Sequence, residues 1–144
     1  MKLTIKQFKD LTHTEVYEIL RCRSEVFVVE QNCIYQDIDE KDYVSTHVYY
    51  ESDGKILAYL RVISPASSNS PSVIGRVLTM KDFRNRGLGR RIMSEAIVIA
   101  KQKSRKVEIE AQSYLLDFYR SLGFKENSDE YLLDGIKHVK MIID

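Results

Sequence analysis

The sequence predicts a mixed α/β domain. Three observations carry this. Strand-patterned and helix-patterned segments follow one another in the order βα, loop, βββ, α, β, α, ββ. Two Asp-Gly pairs, Asp53-Gly54 and Asp134-Gly135, sit between β-rich runs, a strong hairpin signal. The length, 144 residues, is that of one domain, expected to span 1–144.

Residues 3–8 alternate weakly, with Leu3 and Ile5 against Thr4 and Lys6, and read as a first strand. Thr12-His13-Thr14-Glu15 is a capping box: a Thr side chain caps the helix start and a Glu three residues on reaches back. Val16, Ile19, Leu20 and Phe27 then predict a helix over 14–28, with Arg23 on the same face. Residues 33–43 are acidic, with Asp37, Asp39, Glu40 and Asp42. Such a run reads either as a solvated loop or as a wall that attracts a cation. Residues 46–51 and 55–64 are strands joined at Ser52-Asp53-Gly54. The Ser- and Pro-rich stretch 65–71 is a loop, and 73–79 is another strand.

Residues 87–103 predict a helix, with Leu88, Ile92, Ala96 and Ile99 on one face. Lys101 and Lys103 suit the negative end of its dipole. A short strand over 107–111 follows, then a short helix over 114–122 stopped by Gly123. Residues 131–143 close the chain as two strands. No internal repeat is visible.

The charge balance, 22 basic against 21 acidic residues, provides no global basic field, and no nucleic-acid partner is expected. No apolar run has membrane-spanning length and no secretory leader is visible, so the expected setting is the cytoplasm without a membrane partner. Both cysteines, Cys22 and Cys33, are then expected as free thiols. Cys22 falls on a helix face and reads as core; Cys33 falls in a loop.

The sharpest chemistry lies at Arg84-Asn85-Arg86-Gly87-Leu88-Gly89, which follows a strand and opens a helix. Glycines let the backbone approach a ligand. The unpaired N–H groups and the dipole of a helix start favour an anion. Arg84, Arg86, Arg90 and Arg91 add positive charge at the same turn. The segment reads as a phosphate or pyrophosphate cradle. It lacks the Gly-Lys-Ser/Thr end of a Walker loop and the spacing of a dinucleotide fingerprint. A plain glycine-rich helix start with surface arginines, or an arginine patch for RNA, are the other readings.

Arg84-x-x-Gly87-x-Gly89 after a strand resembles the coenzyme A signature of the GNAT N-acetyltransferases. Tyr119-Arg120-Ser121-Leu122-Gly123-Phe124 resembles the family's Tyr-x-x-x-Gly-Phe block. More narrowly, Val26-Phe27-Val28-Val29-Glu30-Gln31-Asn32-Cys33, Tyr35-Gln36-Asp37-Ile38-Asp39, Thr46-His47, Gly75-Arg76-Val77, Ala111-Gln112 and Asp134-Gly135-Ile136 are similar to the ElaA-like branch. These blocks touch nearly the whole chain. The resemblance implies a mostly antiparallel sheet that splays between strand 73–79 and strand 107–111, with flanking helices. It implies acetyl-CoA as cosubstrate and a primary amine, small molecule or peptide, as acceptor. The pantetheine arm would pair with the backbone of Val77, Leu78 and Thr79. The amides of Arg84, Asn85, Arg86, Gly87, Leu88 and Gly89 would hold the pyrophosphate, with Arg90, Gln112 and Phe118 beside it. The Val77 N–H would face the thioester oxygen, and Tyr119 would be the general acid.

The chemistry fits those roles. An alkyl ammonium of pKa about 10.4 must lose a proton before it attacks. The tetrahedral oxyanion then needs a fixed donor. Neither step needs a metal, and none is expected. The sequence departs from the family at Val73, where many members carry a Glu, and at Gln112, where many carry Asn. The general base is therefore open among Glu30, Asp37, His47, Glu110 and a water chain. Arg23, Phe27, Asp37 and Arg76 are candidate acceptor contacts. Arg23 reads equally as a buried ion pair, and Arg76 as sheet-surface charge. His13 and His138 read as surface residues, and Phe83 as packing under the phosphate loop. The acidic stretch favours a cationic acceptor. A homodimer is the default assembly. The missing strand Glu admits a second function, a non-catalytic acyl-CoA sensor or partner module on the same fold.

Overall fold

The computed structural model describes residues Met1–Asp144. Its strands are β1 (Lys2–Gln7), β2 (Ser45–Ser52), β3 (Lys55–Ile63), β4 (Ser72–Thr79), β5 (Val107–Gln112), β6 (Lys125–Glu126), β7 (Tyr131–Leu133) and β8 (Ile136–Ile143). Its α-helices are α1 (His13–Arg23), α2 (Leu88–Lys103) and α3 (Leu116–Ser121). The strands form one sheet in the order β1-β2-β3-β4-β5-β8-β6, with β7 also on β8. Every pairing is antiparallel except β4 with β5, which α2 connects as a crossover. This is the predicted mixed α/β class. The two-residue β6 went unread because so short a strand has no periodicity to recognise.

Both Asp-Gly pairs make the expected hairpins. Asp53 and Gly54 have φ of 53° and 75°, and Asp134 and Gly135 have 52° and 78°. Two consecutive positive φ angles give the turn whose twist matches the flanking strands.

The capping box at α1 is complete. Thr12 Oγ1 accepts from the Glu15 N–H at 3.1 Å, and the Thr12 N–H donates to Glu15 Oε1 at 2.9 Å. Thr12→Ala removes one of these bonds and is expected to cost about 1 kcal/mol, read as a lower urea midpoint at unchanged slope.

The single helix expected over 14–28 is two pieces. α1 ends at Arg23, and residues Ser24–Glu30 form a π-helical turn. Gln31 N–H reaches back five residues to Val26 O at 3.2 Å, and Cys33 N–H to Val28 O at 3.1 Å. The wider turn buries the consecutive side chains Val26 and Phe27 together. Periodicity alone does not reveal such a turn.

The sheet separates two apolar cores. The larger lies under α2 and α3 and includes Ile74, Ile92, Ile109, Tyr119, Phe124 and Met141. The smaller lies under α1 and the π-helical turn and includes Ile19, Cys22, Phe27, Tyr59 and Leu78.

Two irregularities in β4 shape the centre of the sheet. First, Tyr59 pairs with Leu78 but Arg61 pairs with Gly75, so Leu60 faces both Arg76 and Val77. This is a β-bulge, with Arg76 at φ 52°. It switches the strand's faces: Ile74 enters the larger core and Leu78 the smaller. Four residues apart in a regular strand, they would share a face. Second, β4 pairs with β5 only at Ser72–Val107 and Val73–Glu108. Beyond Val73 the two strands part, as the resemblance implies.

Candidate active site

The parting strands open next to the bulge, at the end of β4 that leads into the phosphate loop. Gly87 caps α2 at φ 78° and no side chain caps the helix. The first bond back into the helix runs from the Arg91 N–H to Gly87 O at 3.1 Å. The amides of Leu88, Gly89 and Arg90 therefore have no partner within the helix. Asn85 is also left-handed, at φ 64°. Gly89 lies against Phe118 and Thr79, which sets the loop between β4 and α3. Arg86 lies over the Phe83 ring and Arg90 over the Phe118 ring. Phe83 thus packs under the loop as expected. The arrangement fits a pyrophosphate: open amides, a helix dipole and mobile cations around them.

Tyr119 sits on α3, on the larger-core side of the opening. Its ring packs edge-on against Phe118 and Phe124. It is only 7 % exposed, and its hydroxyl has no hydrogen-bond partner yet is not sealed from solvent. Burial, with Tyr114 adding to it, pushes the phenol up to about 12. The group keeps its proton at neutral pH and is free to donate it. Nearby, Ser113 Oγ is buried without a partner, directly after Gln112 at the end of β5. No motif marks Ser113.

The structure corrects most of the acceptor-side expectations. Arg23 is wholly buried. It donates to Asp37 Oδ2 at 3.0 Å, to the Asp37 carbonyl at 3.0 Å and to Asp42 Oδ1 at 2.6 Å. It lines no pocket. Asp37 also takes Arg76 Nε at 2.7 Å and the Tyr35 hydroxyl at 2.9 Å, leaving it no free oxygen to act as base or to hold an acceptor. Arg76 remains at the edge of the cleft, over the Tyr35 ring, but is committed to Asp37 and Asp39. Arg61 binds Asp39 and Asp42. Three arginines thus neutralise three aspartates. Burial opposes ionisation of Asp39, but Arg61 and Arg76 outweigh it and hold the carboxyl at about 2. Asp37, Asp39 and Asp42 of the acidic stretch thus form an inward-facing ionic network, and Glu40 alone stays exposed.

His47 is not a base either. It is 1 % exposed. Nε2 is 2.9 Å from the Asp42 carbonyl, which can only accept, so Nε2 carries the proton and Nδ1 accepts from the Tyr59 hydroxyl at 2.7 Å. Burial lowers its pKa, so the ring is neutral. Glu30 is paired with Arg84, whose Nε also donates to the Thr79 carbonyl at 2.9 Å. That partner lowers its pKa and ties it to the phosphate loop. Phe27 is buried in the smaller core, packed with Ile19, Tyr59 and Leu78. His138 is buried rather than on the surface, stacked on Tyr131, with Nδ1 donating to Ile136 O at 2.7 Å. Cys22 is buried and its thiol pushed up to about 12 by that burial; both cysteines are free.

Comparison with known proteins agrees with this geometry. The family model for the acetyltransferase (GNAT) domain matches residues 8–144. A UPF0039 protein of Schizosaccharomyces pombe is 39% identical over 148 residues, covering 100% of this chain and 97% of its own. The protein ElaA of Escherichia coli is 35% identical over 144 residues, covering 94% of each chain. The crystal structure of E. coli ElaA superposes with a TM-score of 0.93 at 32% identity over 100% of both chains. An acyl-CoA N-acyltransferase from Pseudomonas aeruginosa gives 0.90 at 38% identity over 99% of both. With its bulged, parting strands and its uncapped glycine loop, the chain belongs to the GNAT acetyltransferase family.

Proposed function

We propose that this chain, acting as one domain in the cytoplasm, transfers acetyl from acetyl-CoA to a primary amine of a small molecule or peptide. The carrying observation is the parting of β4 from β5 after two residue pairs, beside a bulge and in line with an uncapped helix start. Acetyl-CoA would supply the activated acyl group. The backbone of Val77, Leu78 and Thr79 would pair with the pantetheine arm in the gap. The loop from Arg84 to Arg90 would hold the pyrophosphate, and Gln112, Ser113 and Phe118 would flank the arm.

The bulge leaves Val77 without a one-to-one partner on β3, so its N–H is free to point at the thioester oxygen. A fixed backbone donor there stabilises the oxyanion of the tetrahedral intermediate by a few kcal/mol. Tyr119 would donate to the sulfur as the thiolate leaves. Val73, at the position where other members carry a Glu, favours the second reading, an acyl-CoA sensor that binds and does not transfer.

Thermal unfolding with and without acetyl-CoA tests the site. Ligand at about 100 times its dissociation constant is expected to stabilise by roughly 2.7 kcal/mol, about 5–11 °C. The shift should be absent with an adenosine nucleotide and reduced in Arg84→Ala. No shift would sink the proposal. A shift without thiol release on any primary amine would favour the sensor.

A further inference from the structure

Of the side chains considered for the proton-accepting role, Glu30 and Asp37 are paired with arginines, and His47 has both ring nitrogens engaged. Glu110 is the exception. It lies on β5, on the α1 face of the sheet, since its neighbours Ile109 and Ala111 face the larger core. Its one hydrogen bond comes from an uncharged group, the Tyr131 hydroxyl, at 2.6 Å to Oε2. Oε1 has no partner, and no lysine or arginine pairs with it, although Lys140 lies across from it on β8.

The strand register places Glu110 at the opening. Val73 pairs with Glu108, so the next step along the same face sets Glu110 at the level of Gly75, just before the bulge. Gly75 has empty space where a side chain would stand: a Cβ there meets nothing within 4 Å. Room and an unneutralised carboxylate therefore face each other across the gap. Tyr119 is on the opposite face, in the larger core.

Resting on the transfer reaction proposed above, we infer that Glu110 binds the acceptor's ammonium group on the α1 face and takes the protons it loses. The nitrogen gives up one proton to Glu110 and attacks the acetyl carbon. The carbonyl electron pair moves to the oxygen facing Val77. Glu110 passes its proton to solvent, and the tetrahedral nitrogen, still cationic, then loses its second proton to the regenerated carboxylate. The C–S bond breaks, and Tyr119 protonates the sulfur and is recharged from solvent. The sum is ammonium plus thioester giving amide, thiol and one proton. The first proton leaves uphill, to a weaker base, and is drawn forward because attack consumes the neutral amine; the second leaves readily because the nitrogen becomes far more acidic once bonded to the acetyl carbon. Tyr131 positions the carboxylate. The other groups facing it are Glu108, Lys140 and His138 on the same strands, and Arg76, with its aspartates, across the gap.

The test is thiol release from acetyl-CoA with butylamine, 1,4-diaminobutane, phenethylamine and glycylglycine, measured from pH 5 to 9 beside acetyl-CoA binding by thermal shift. Glu110→Gln should keep the acetyl-CoA shift and lose about a hundredfold in kcat/KM for the amine. Gly75→Val should raise the amine KM without altering the acetyl-CoA shift. Glu108→Gln should behave as wild type. Turnover of Glu110→Gln within twofold of wild type would overturn the inference and leave the transfer reaction standing. Wild type that binds acetyl-CoA and acetylates no amine would overturn both. Wild type that fails to bind acetyl-CoA would remove the proposed function at its root.

Discussion

Arg23→Ala is expected to destabilise the protein by about 3–5 kcal/mol, the cost of removing one partner from a buried ion pair. The guanidinium spans Asp37 and Asp42 and is wholly buried. Its loss leaves Asp42 with Arg61 alone and Asp37 with Arg76 alone, and strands the Asp37 carbonyl with a single donor. Residues between the π-helical turn and β2 have little regular structure beyond one short turn, so this network is what fixes them. Urea denaturation measures the loss directly. The pH profile should follow the same groups. Asp39 and Asp42 have carboxyls held below their ordinary values, so their stabilisation is present above an unfolded pKa of about 3.9 and fades as pH falls below it. His47, lowered by burial, adds a loss that begins as pH drops below about 6.5, where the unfolded ring charges first. A variant with unchanged midpoint at pH 7 would contradict the network's role.

Tyr119→Phe is expected to lower kcat by about a hundredfold, the low end for general acids. The low end applies because a thiolate is a good leaving group and because burial makes this phenol a reluctant acid. Most of its contribution is then the hydrogen bond it donates to sulfur as charge develops. Since the hydroxyl holds no protein partner, its removal should leave folding and acetyl-CoA affinity nearly unchanged. Stopped-time thiol release, with binding measured in parallel, separates the two. Full turnover by the Phe variant would take Tyr119 out of the mechanism.

The strands, the hairpins, the helix start at Thr12 and the glycine loop were legible because each depends on local chemistry. Asp-Gly turns, an uncapped Gly87 and the β-rich runs of β3 and β4 need only near neighbours. The acceptor side was not legible for the opposite reason. Arg23 reads equally as an acceptor contact or a buried ion pair, and the acidic stretch as a solvated loop or a wall for a cation; only the tertiary fold decides, in favour of the ion pair. The same holds for His47, whose two ring nitrogens are satisfied by residues five and twelve positions away. The bulge puts Arg76, and not the neighbouring Gly75, at a positive φ, so residue type does not announce it. Ser113 and the openness around Gly75 are properties of the surroundings, invisible in either residue alone.

The short contact between β4 and β5 has a mechanical consequence. On one side of it, β1 to β4 form a continuous meander; on the other, β5 pairs with β8, which carries β6 and β7. Two residue pairs, together with α2 and the core beneath it, are the joint between these folding units. The core under α2 spans both sides, so the narrow pairing leaves a seam in the sheet and not a break in the molecule. A molecule lying along the seam would touch both units, so filling it and bracing them together would be one event.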